Sequence, residues 1–594
     1  MSGGRSLGEF EGSRSYFRSL KTGLLSGYAF KPRSIKEEDR DRIEGGGRNF
    51  KRTLTSLQLI CLGIGNIVGA GIFVTTGRVA HSQAGPAVII SFAIAAVSAL
   101  LSALCYAEFA TEVPITGGAF SYTTLTFGPL IGWVVGTNLI IPHIVGNAGV
   151  LRNFSAYLAE LLDVDSKTDL QVHTSGGLDL DFLAFGLSLG LTLLLILGTH
   201  ETSLFNLVVT IGHVAVILFV IIAGLTQAKS ANMRPFAPFG ARGIFDGATA
   251  AFFAYIGADA LANTAEEVVN PKKDLPIGLL GSLGVVTLLY MLMSATIVLM
   301  VPYIDISPKA AFAAAFQSTG LPWARYIVAV GALAGILTGP LVGFYAGARI
   351  ICILGRQRLI PPVFARINPR FGTPIVATAV QGIAVSFITL FTPFEYLSDM
   401  TSISSLFGFF VVALALLWRR YYGVAGRAKG ANPYLPALLL AWLAASGLGL
   451  SVWYQISDYW GGLAGFGTSA LAATTCLHAF ARQTHRPGPG SFAVPAWPWV
   501  PSASLVLNTF LLGSVSSAAW ARFGVWLAAT LVVYLLYSLP ASYAHHTSRL
   551  PTVGEESEAP GSDGDAGAGQ QLEGRDVDGD SDLLHALTKG SSKR

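Results

Sequence analysis

From about residue 53 to residue 540, apolar runs of membrane length alternate with short polar joints. A membrane helix takes roughly 20 apolar residues. The pattern predicts spans at 53–76, 85–107, 118–146, 181–199, 204–226, 243–266, 276–301, 323–352, 374–392 and 396–418. Four more follow at 434–454, 462–481, 497–515 and 520–540. The expected fold class is an all-α polytopic membrane protein with about 14 TM helices, numbered here spans 1 to 14.

Two of these runs are interrupted. Within span 1, residues 62–71 hold Gly63, Gly65, Gly69 and Gly71 together with Asn66. An interior glycine costs a helix about 1 kcal/mol relative to alanine. Non-helical backbone at membrane depth survives only where it is buried in protein or lines a cavity. Some 190 residues later, span 6 carries Gly257, Asp259, Asn263, Glu266 and Glu267. A pair of disrupted spans in corresponding halves is the best sequence pointer to a transporter's binding site. Residues 53–226 (spans 1–5) and 243–418 (spans 6–10) would then be two repeats. Five is odd, so the second repeat starts from the opposite side of the membrane, in inverted topology. Residues 434–540 would add four C-terminal helices, flanked by a basic arm (1–52) and a tail (541–594).

Charge assigns roles to the breaks. A break in span 1 near residues 68–71 exposes the N–H groups and positive dipole end of its outer half, which favour a carboxylate. A break in span 6 near residues 254–257 exposes the C-terminal carbonyls of its outer half, which suit an ammonium. A zwitterionic α-amino acid presents both charges a few ångströms apart.

Composition narrows the class further. The 594 residues are 52% hydrophobic and 12% charged, against about 25% charged in ordinary globular proteins. Mean hydropathy is +0.55, so soluble domains are not expected. The net charge of +4 is small and gives no reason to invoke nucleic acid. Cys61, Cys105, Cys352 and Cys476 lie in or beside apolar runs and read as small buried hydrophobes. The first 50 residues hold no apolar signal core. Twelve Lys or Arg make residues 1–52 a mostly disordered cytoplasmic arm in expectation, with a short amphipathic element around 16–25, and the Gly/Ser/Asp/Glu-rich tail reads as disordered.

Basic residues crowd the joints after spans 6, 8, 10 and 12, whereas the 160–181 joint holds five aspartates, which places both termini in the cytoplasm. Asn153-Phe-Ser is a glycosylation sequon on the expected outer side. Asp580-Ser-Asp-Leu-Leu584 matches an acidic dileucine sorting signal. No nucleophile–base set, phosphate loop or metal cluster suggests an enzyme, and no cofactor is expected.

Several motifs carry a resemblance. Gly63-Ile-Gly-Asn-Ile-Val-Gly-Ala-Gly-Ile-Phe73 resembles the first-helix signature of the amino acid–polyamine–organocation superfamily. Phe253-Ala-Tyr-Ile-Gly-Ala-Asp259, with Ala265-Glu-Glu-Val-Val-Asn-Pro-Lys272, is similar to the sixth helix and following loop of its cationic amino acid transporter family. Cys105-Tyr-Ala-Glu-Phe-Ala110, Val113-Pro-Ile-Thr-Gly-Gly118 and Leu359-Ile-Pro-Pro-Val-Phe-Ala-Arg-Ile-Asn368 fit the same family. Ala80-His-Ser-Gln-Ala-Gly-Pro-Ala87 and Asp305-Ile-Ser-Pro308 resemble its plant-type members. The likeness runs over about residues 50–420.

The resemblance implies a LeuT-like 5+5 inverted repeat and proton-coupled movement of cationic amino acids such as arginine and lysine. By motif position, the backbone of Ile67, Ala70 and Gly71 would hold the substrate carboxylate. The backbone of Phe253, Ala254 and Ile256 would take the amino group, with the Phe253 ring as a gate. Ala258 stands where many members carry phenylalanine, so a wider pocket and another substrate (a neutral amino acid, γ-aminobutyrate or a polyamine) stay open. An amino acid sensor is a third reading.

Six polar positions complete the candidates. Asp259 either meets a substrate's cationic side chain or bonds neighbouring backbone to stabilise the break. His213 is either a packing residue or, as the resemblance implies, the proton-coupling group, at a position where proton-linked relatives place a lysine. Glu108 is expected to brace the inner gate against Arg349 or another arginine of the joint after span 8, while Glu112 and Glu267 read as unpaired surface acids. Span 8 carries Gly331, Gly335, Gly339, Gly343 and Gly347 at i+4 spacing, a shallow ridge for a close helix neighbour, with Thr338 able to offer a hydroxyl to the site. The partners expected are an amino acid, a proton and the lipid bilayer, at the plasma membrane or alternatively the vacuolar membrane. Oligomeric state is left open.

Overall fold

A computed structural model of the chain describes residues 13–33, 52, 54–69, 71–114, 117–162, 172–173, 179–197, 200–308, 310–368, 373–423, 434–457, 459–480, 484–488 and 490–547. Ala70, most of the basic arm and the dileucine sequence of the tail lie outside the described residues.

Helices dominate because each apolar run must satisfy its own backbone hydrogen bonds in lipid. Nine helical stretches are long and apolar enough to cross a membrane among the described residues, and three shorter apolar helices accompany them. One stretch, Ser56–Glu112, takes in both expected spans 1 and 2. Expected span 12 is the helix Trp460–Ala479, which falls outside that apolar set. The 160–181 joint contributes a two-stranded antiparallel pair, Val172–His173 with Asp179–Leu180, in register Val172↔Leu180.

Span 3 departs from its expected bounds. Residues 119–127 form a separate helix that stops at Gly128, whose φ of 93° is a left-handed conformation open to glycine. Pro129 then starts a new helix, its fixed φ and missing N–H suiting the first helical position. That helix passes Pro142 through a wide π turn (Pro142–Gly146) and continues as Asn147–Leu162. The extension overturns the sequon as a surface acceptor. Asn153 sits inside the helix, buried, its amide donating to the Gly149 carbonyl at 2.8 Å.

The amphipathic element of the arm is the helix Ser13–Leu25. It rests on the last helices, with Tyr16 donating to the Leu536 carbonyl at 2.5 Å, and Tyr28 and Arg33 bonded to Ser542. All four cysteines are free.

Candidate functional site

Both interrupted spans break where the glycines predicted. The helix Ser56–Ile67 ends in Val68, extended at φ −79°, ψ 91°, and helical turns resume at Gly71. In span 6, Gly240–Phe252 tightens into the single turn Phe253–Tyr255, opens at Ile256 and reverses through Gly257 at φ 111°. It continues as a ten-residue 3-10 helix, Ala258–Glu267, far longer than the three or four residues usual for that form.

The breaks meet backbone to backbone. A Cβ added to Gly71 would stand 2.8 Å from the Ala254 Cα. The Asn66 amide donates to the Gly257 carbonyl at 2.7 Å. Tyr290, from the helix Pro271–Met300, holds its hydroxyl 2.8 Å from the Ile67 carbonyl and 3.1 Å from that of Ala254. One buried tyrosine thus serves the orphan carbonyls of both breaks, as buried backbone requires.

Beside this junction lies a cavity of about 70 Å³, room for roughly five waters. Ile67, Gly71, Phe253, Ile256 and Asp259 lie on its wall. Ala254 stands behind them, against Gly71, with its carbonyl on Tyr290. A carbonyl has a second lone pair for a ligand. Asp259 faces the cavity, beside the backbone of Gly257 and Ala260. Ala258 is buried and stands outside the wall. Asn66 of span 1, His143 and Asn147 of span 3 and Thr401 of span 10 complete the polar lining.

The Phe253 ring meets the Phe394 ring edge to face, centroids 5.5 Å apart. Phe394 belongs to the wall of a second cavity, of about 250 Å³, on the far side of the pair.

The opposite end, which carries the basic joints, is closed by three sets of contacts. Leu54 pairs with Val268 in a parallel bridge, tying the start of span 1 to the end of span 6. Glu267 forms an ion pair with Arg349, whose guanidinium lies 3.8 Å from the centre of the Tyr345 ring. Glu108 accepts Arg420 Nε at 2.6 Å and Nη2 at 2.5 Å, and its Oε2 also takes the Val494 N–H at 2.6 Å. One turn on, Arg419 reaches Glu112 at 2.9 Å.

These contacts correct three expectations. Glu108 pairs with Arg420 of span 10 rather than Arg349, because Arg349 is taken by Glu267. Glu112 and Glu267 are both paired. Thr338 turns its hydroxyl back onto the Ala334 and Gly335 carbonyls, each 3.3 Å away, and is absent from the cavity wall.

The glycine row of span 8 packs against several helices at once. Gly331 meets Val216, Gly335 the ring of His213, Gly339 the Gly69 Cα, and Gly343 the Asn147 amide. A side chain at Gly335 would overlap the imidazole outright. His213 therefore sits one layer behind the cavity, with Gly335 of span 8 between its ring and Gly69 at the break. It is 2% exposed, stacks on Phe73 of span 1 at 5.4 Å and 18°, and its Nε2 has no hydrogen-bond partner among the described residues.

Sequence reasoning missed Tyr290, His143, Asn147 and Thr401. A histidine at membrane depth after Pro142 was a readable signal. A lone tyrosine in an apolar helix was not.

The amino acid permease family matches residues 54–457, and a profile for the C-terminus of that permease matches residues 492–542. "Cationic amino acid transporter 1" of Arabidopsis thaliana is 40% identical over 516 residues, covering 86% of each chain. "Cationic amino acid transporter 6, chloroplastic", from the same plant, is 38% identical over 557 residues, 89% of this chain and 94% of its own. "Cationic amino acid transporter 8, vacuolar" is 39% identical over 499 residues, 83% and 84% respectively. These relatives are transporters and not enzymes. The chain belongs to the amino acid permease family and, within it, to the plant-type cationic amino acid transporters.

Proposed function

We propose that this multi-pass membrane protein moves cationic amino acids such as arginine and lysine, coupled to protons, by alternating access around the central cavity. The observation that carries the reading is the place of Asp259. It stands on the wall of a cavity built from two broken helices, where a second, cationic group on the substrate would offset the cost of an acid at membrane depth. The outer half of span 1 directs its first N–H groups toward a carboxylate, and the carbonyls around residues 253–256 suit the α-ammonium. The Phe253–Phe394 pair supplies a thin gate on one side, and the Leu54–Val268 and Glu267–Arg349 contacts a thick one on the other. His213 is suited to carry the proton, because a charge gained there would act on span 1 directly at Phe73 and, through Gly335, at the break.

The alternative substrates, neutral amino acids, γ-aminobutyrate or polyamines, rest on Ala258, which is buried away from the cavity and does not widen it. For location the plasma membrane remains the proposal and the vacuolar membrane the alternative, since the relatives' names already span two organelles. The test is uptake of radiolabelled arginine, lysine, glutamine and γ-aminobutyrate into proteoliposomes, with and without an inward proton gradient. Accumulation of arginine and lysine that steepens with the gradient is expected. Binding without accumulation would point to a sensor, and preference for glutamine would overturn the cationic reading.

A further inference from the structure

The arm helix Ser13–Leu25 divides its surface into four stripes. Tyr16, Leu20 and Gly23 face the last helices: Tyr16 donates to the Leu536 carbonyl, and Gly23 lies on Leu539 and Tyr543, with 3.5 Å left for an added Cβ. A helix turns by about 100° per residue. That rotation sets Phe17 and Leu24 on the next stripe, Arg18 and Lys21 beyond them on the side away from the bundle, and Ser19 and Thr22 on the last. Phe17 is 63% exposed and Leu24 53%, and both cations are exposed as well. Among the described residues, neither Arg18 nor Lys21 enters an ion pair.

The depth of the helix follows from what it touches. Leu535 and Leu536 are exposed on the membrane-length stretch Ser517–Thr547, so they face lipid. The Tyr16 hydroxyl, 2.5 Å from the Leu536 carbonyl, therefore holds the arm helix where span 14 leaves the hydrocarbon. Ser538, one turn on, donates to the Leu359 carbonyl in the joint after span 8, which marks this as the end with the basic joints. From the arm helix the chain runs through Tyr28–Phe30 to Arg33, whose guanidinium is bonded to Ser542. It passes so close to Gly128 that a Cβ there would stand 2.7 Å from the Phe30 carbonyl carbon. Gly128 precedes the helix Pro129–Ile141, which leads into the turn that puts His143 on the central cavity.

We propose that the outward faces of this helix are a docking surface for anionic phospholipid, with Phe17 and Leu24 in the acyl boundary and Arg18 and Lys21 on the headgroup phosphates. The order of the stripes selects the partner. Bundle, apolar, basic and hydroxyl faces follow one another as protein, acyl chains, headgroups and water do around a helix lying in the interface. Cations held at that depth are attracted by anionic lipid. A zwitterionic headgroup leaves both cations uncompensated, and a second copy of the helix would set cation against cation. Bound lipid then steadies the strap that ends against Gly128. The inference is independent of which substrate the central cavity takes.

The test uses the full-length protein in nanodiscs of phosphatidylcholine alone and of an equal mixture with phosphatidylglycerol, and reads amide hydrogen exchange over residues 16–25. Each cation near an anionic surface favours the docked helix roughly fivefold, so exchange should slow by roughly 10–30-fold in the anionic discs. Amides of the helix Pro271–Met300 are the control and should not respond. Arg18→Gln combined with Lys21→Gln should make exchange equal in the two discs, whereas Arg18→Lys should keep the difference. Molar salt, which shortens the Debye length to about 3 Å, should erase it in the unaltered chain. Phe17→Ser combined with Leu24→Ser should speed exchange in both discs. Equal exchange of the unaltered chain in the two lipids would overturn the proposal, the cations then serving an acidic protein segment. A difference that survives removal of both cations, or that the control helix shares, would overturn it too.

Discussion

The contact between Gly71 and Ala254 gives the most direct test of the two-break site. Replacing Gly71 with alanine puts a methyl carbon 2.8 Å from the Ala254 Cα and 3.1 Å from its Cβ. Carbon atoms prefer separations of about 3.5–4.0 Å, so the overlap approaches 1 Å. The nearest atom is main chain, and no rotamer change can relieve it. Overpacking of this kind typically costs about 1–3 kcal/mol. The cost falls on the junction that sets span 1 against span 6, the two sources of ligand groups. If it is borne wholly by the substrate-bound state, the initial rate drops by roughly 5–150-fold. Gly69 is the internal control, because its added Cβ would meet only the Gly335 carbonyl, at an ordinary 3.6 Å. The assay is arginine uptake below KM, normalised to the monodisperse protein recovered after solubilisation. Gly71→Ala should lose transport while keeping its folded yield, and Gly69→Ala should lose less. Equal losses in the two variants, or full activity in Gly71→Ala, would refute the claim that close approach of the breaks builds the site. A bulky side chain at Gly69 should still block transport, since that residue lines the cavity.

Three further outcomes are expected. Asp259→Asn should cut arginine uptake far more than uptake of any neutral amino acid the protein accepts, and equal loss of both would reduce Asp259 to a brace for the break. In His213→Asn, accumulation should lose its dependence on the imposed proton gradient while arginine binding persists, because the ring lies off the cavity; an unchanged gradient dependence would remove His213 as the proton carrier. Glu108→Gln leaves Arg420 buried and short of a countercharge, a loss of about 3–5 kcal/mol, whereas Glu112, about a quarter of whose side chain stays open to solvent, should cost less when replaced by glutamine. Thermal unfolding of the detergent-purified variants measures both, and similar shifts would contradict the assignment of Glu108 as the buried lock.

Much of the candidate site was legible one residue at a time. Glycine is costly in a membrane helix, and Gly69, Gly71 and Gly257 mark the breaks, whereas Gly63 and Gly65 lie within the regular helix Ser56–Ile67. Asp259 announced itself for the same reason, as a charge that lipid does not tolerate without a purpose. Partners were another matter. Glu108, Glu112 and Glu267 each had a dozen basic residues within plausible reach, and a charge pattern does not say which arginine arrives. Span 3 was misplaced because its expected window, 118–146, straddled the Gly128–Pro129 boundary and stopped just past Pro142, at the end of a π turn through which the helix continues.

Local chemistry along the chain thus determined the class of the protein, the number and place of its broken helices, and the ligand charges those breaks suit. Hydrophobic length, glycine cost and helix dipoles act within one segment, so sequence order alone suffices to read them. Only the tertiary structure decided that Tyr290 would serve both breaks, that Gly335 would stand between His213 and Gly69, and that Arg78, Asp246 and Asp399 would share one cavity. Those juxtapositions join residues up to about 320 positions apart. They depend on which faces of the helices pack together, and apolar faces in lipid carry little sequence information about their partners.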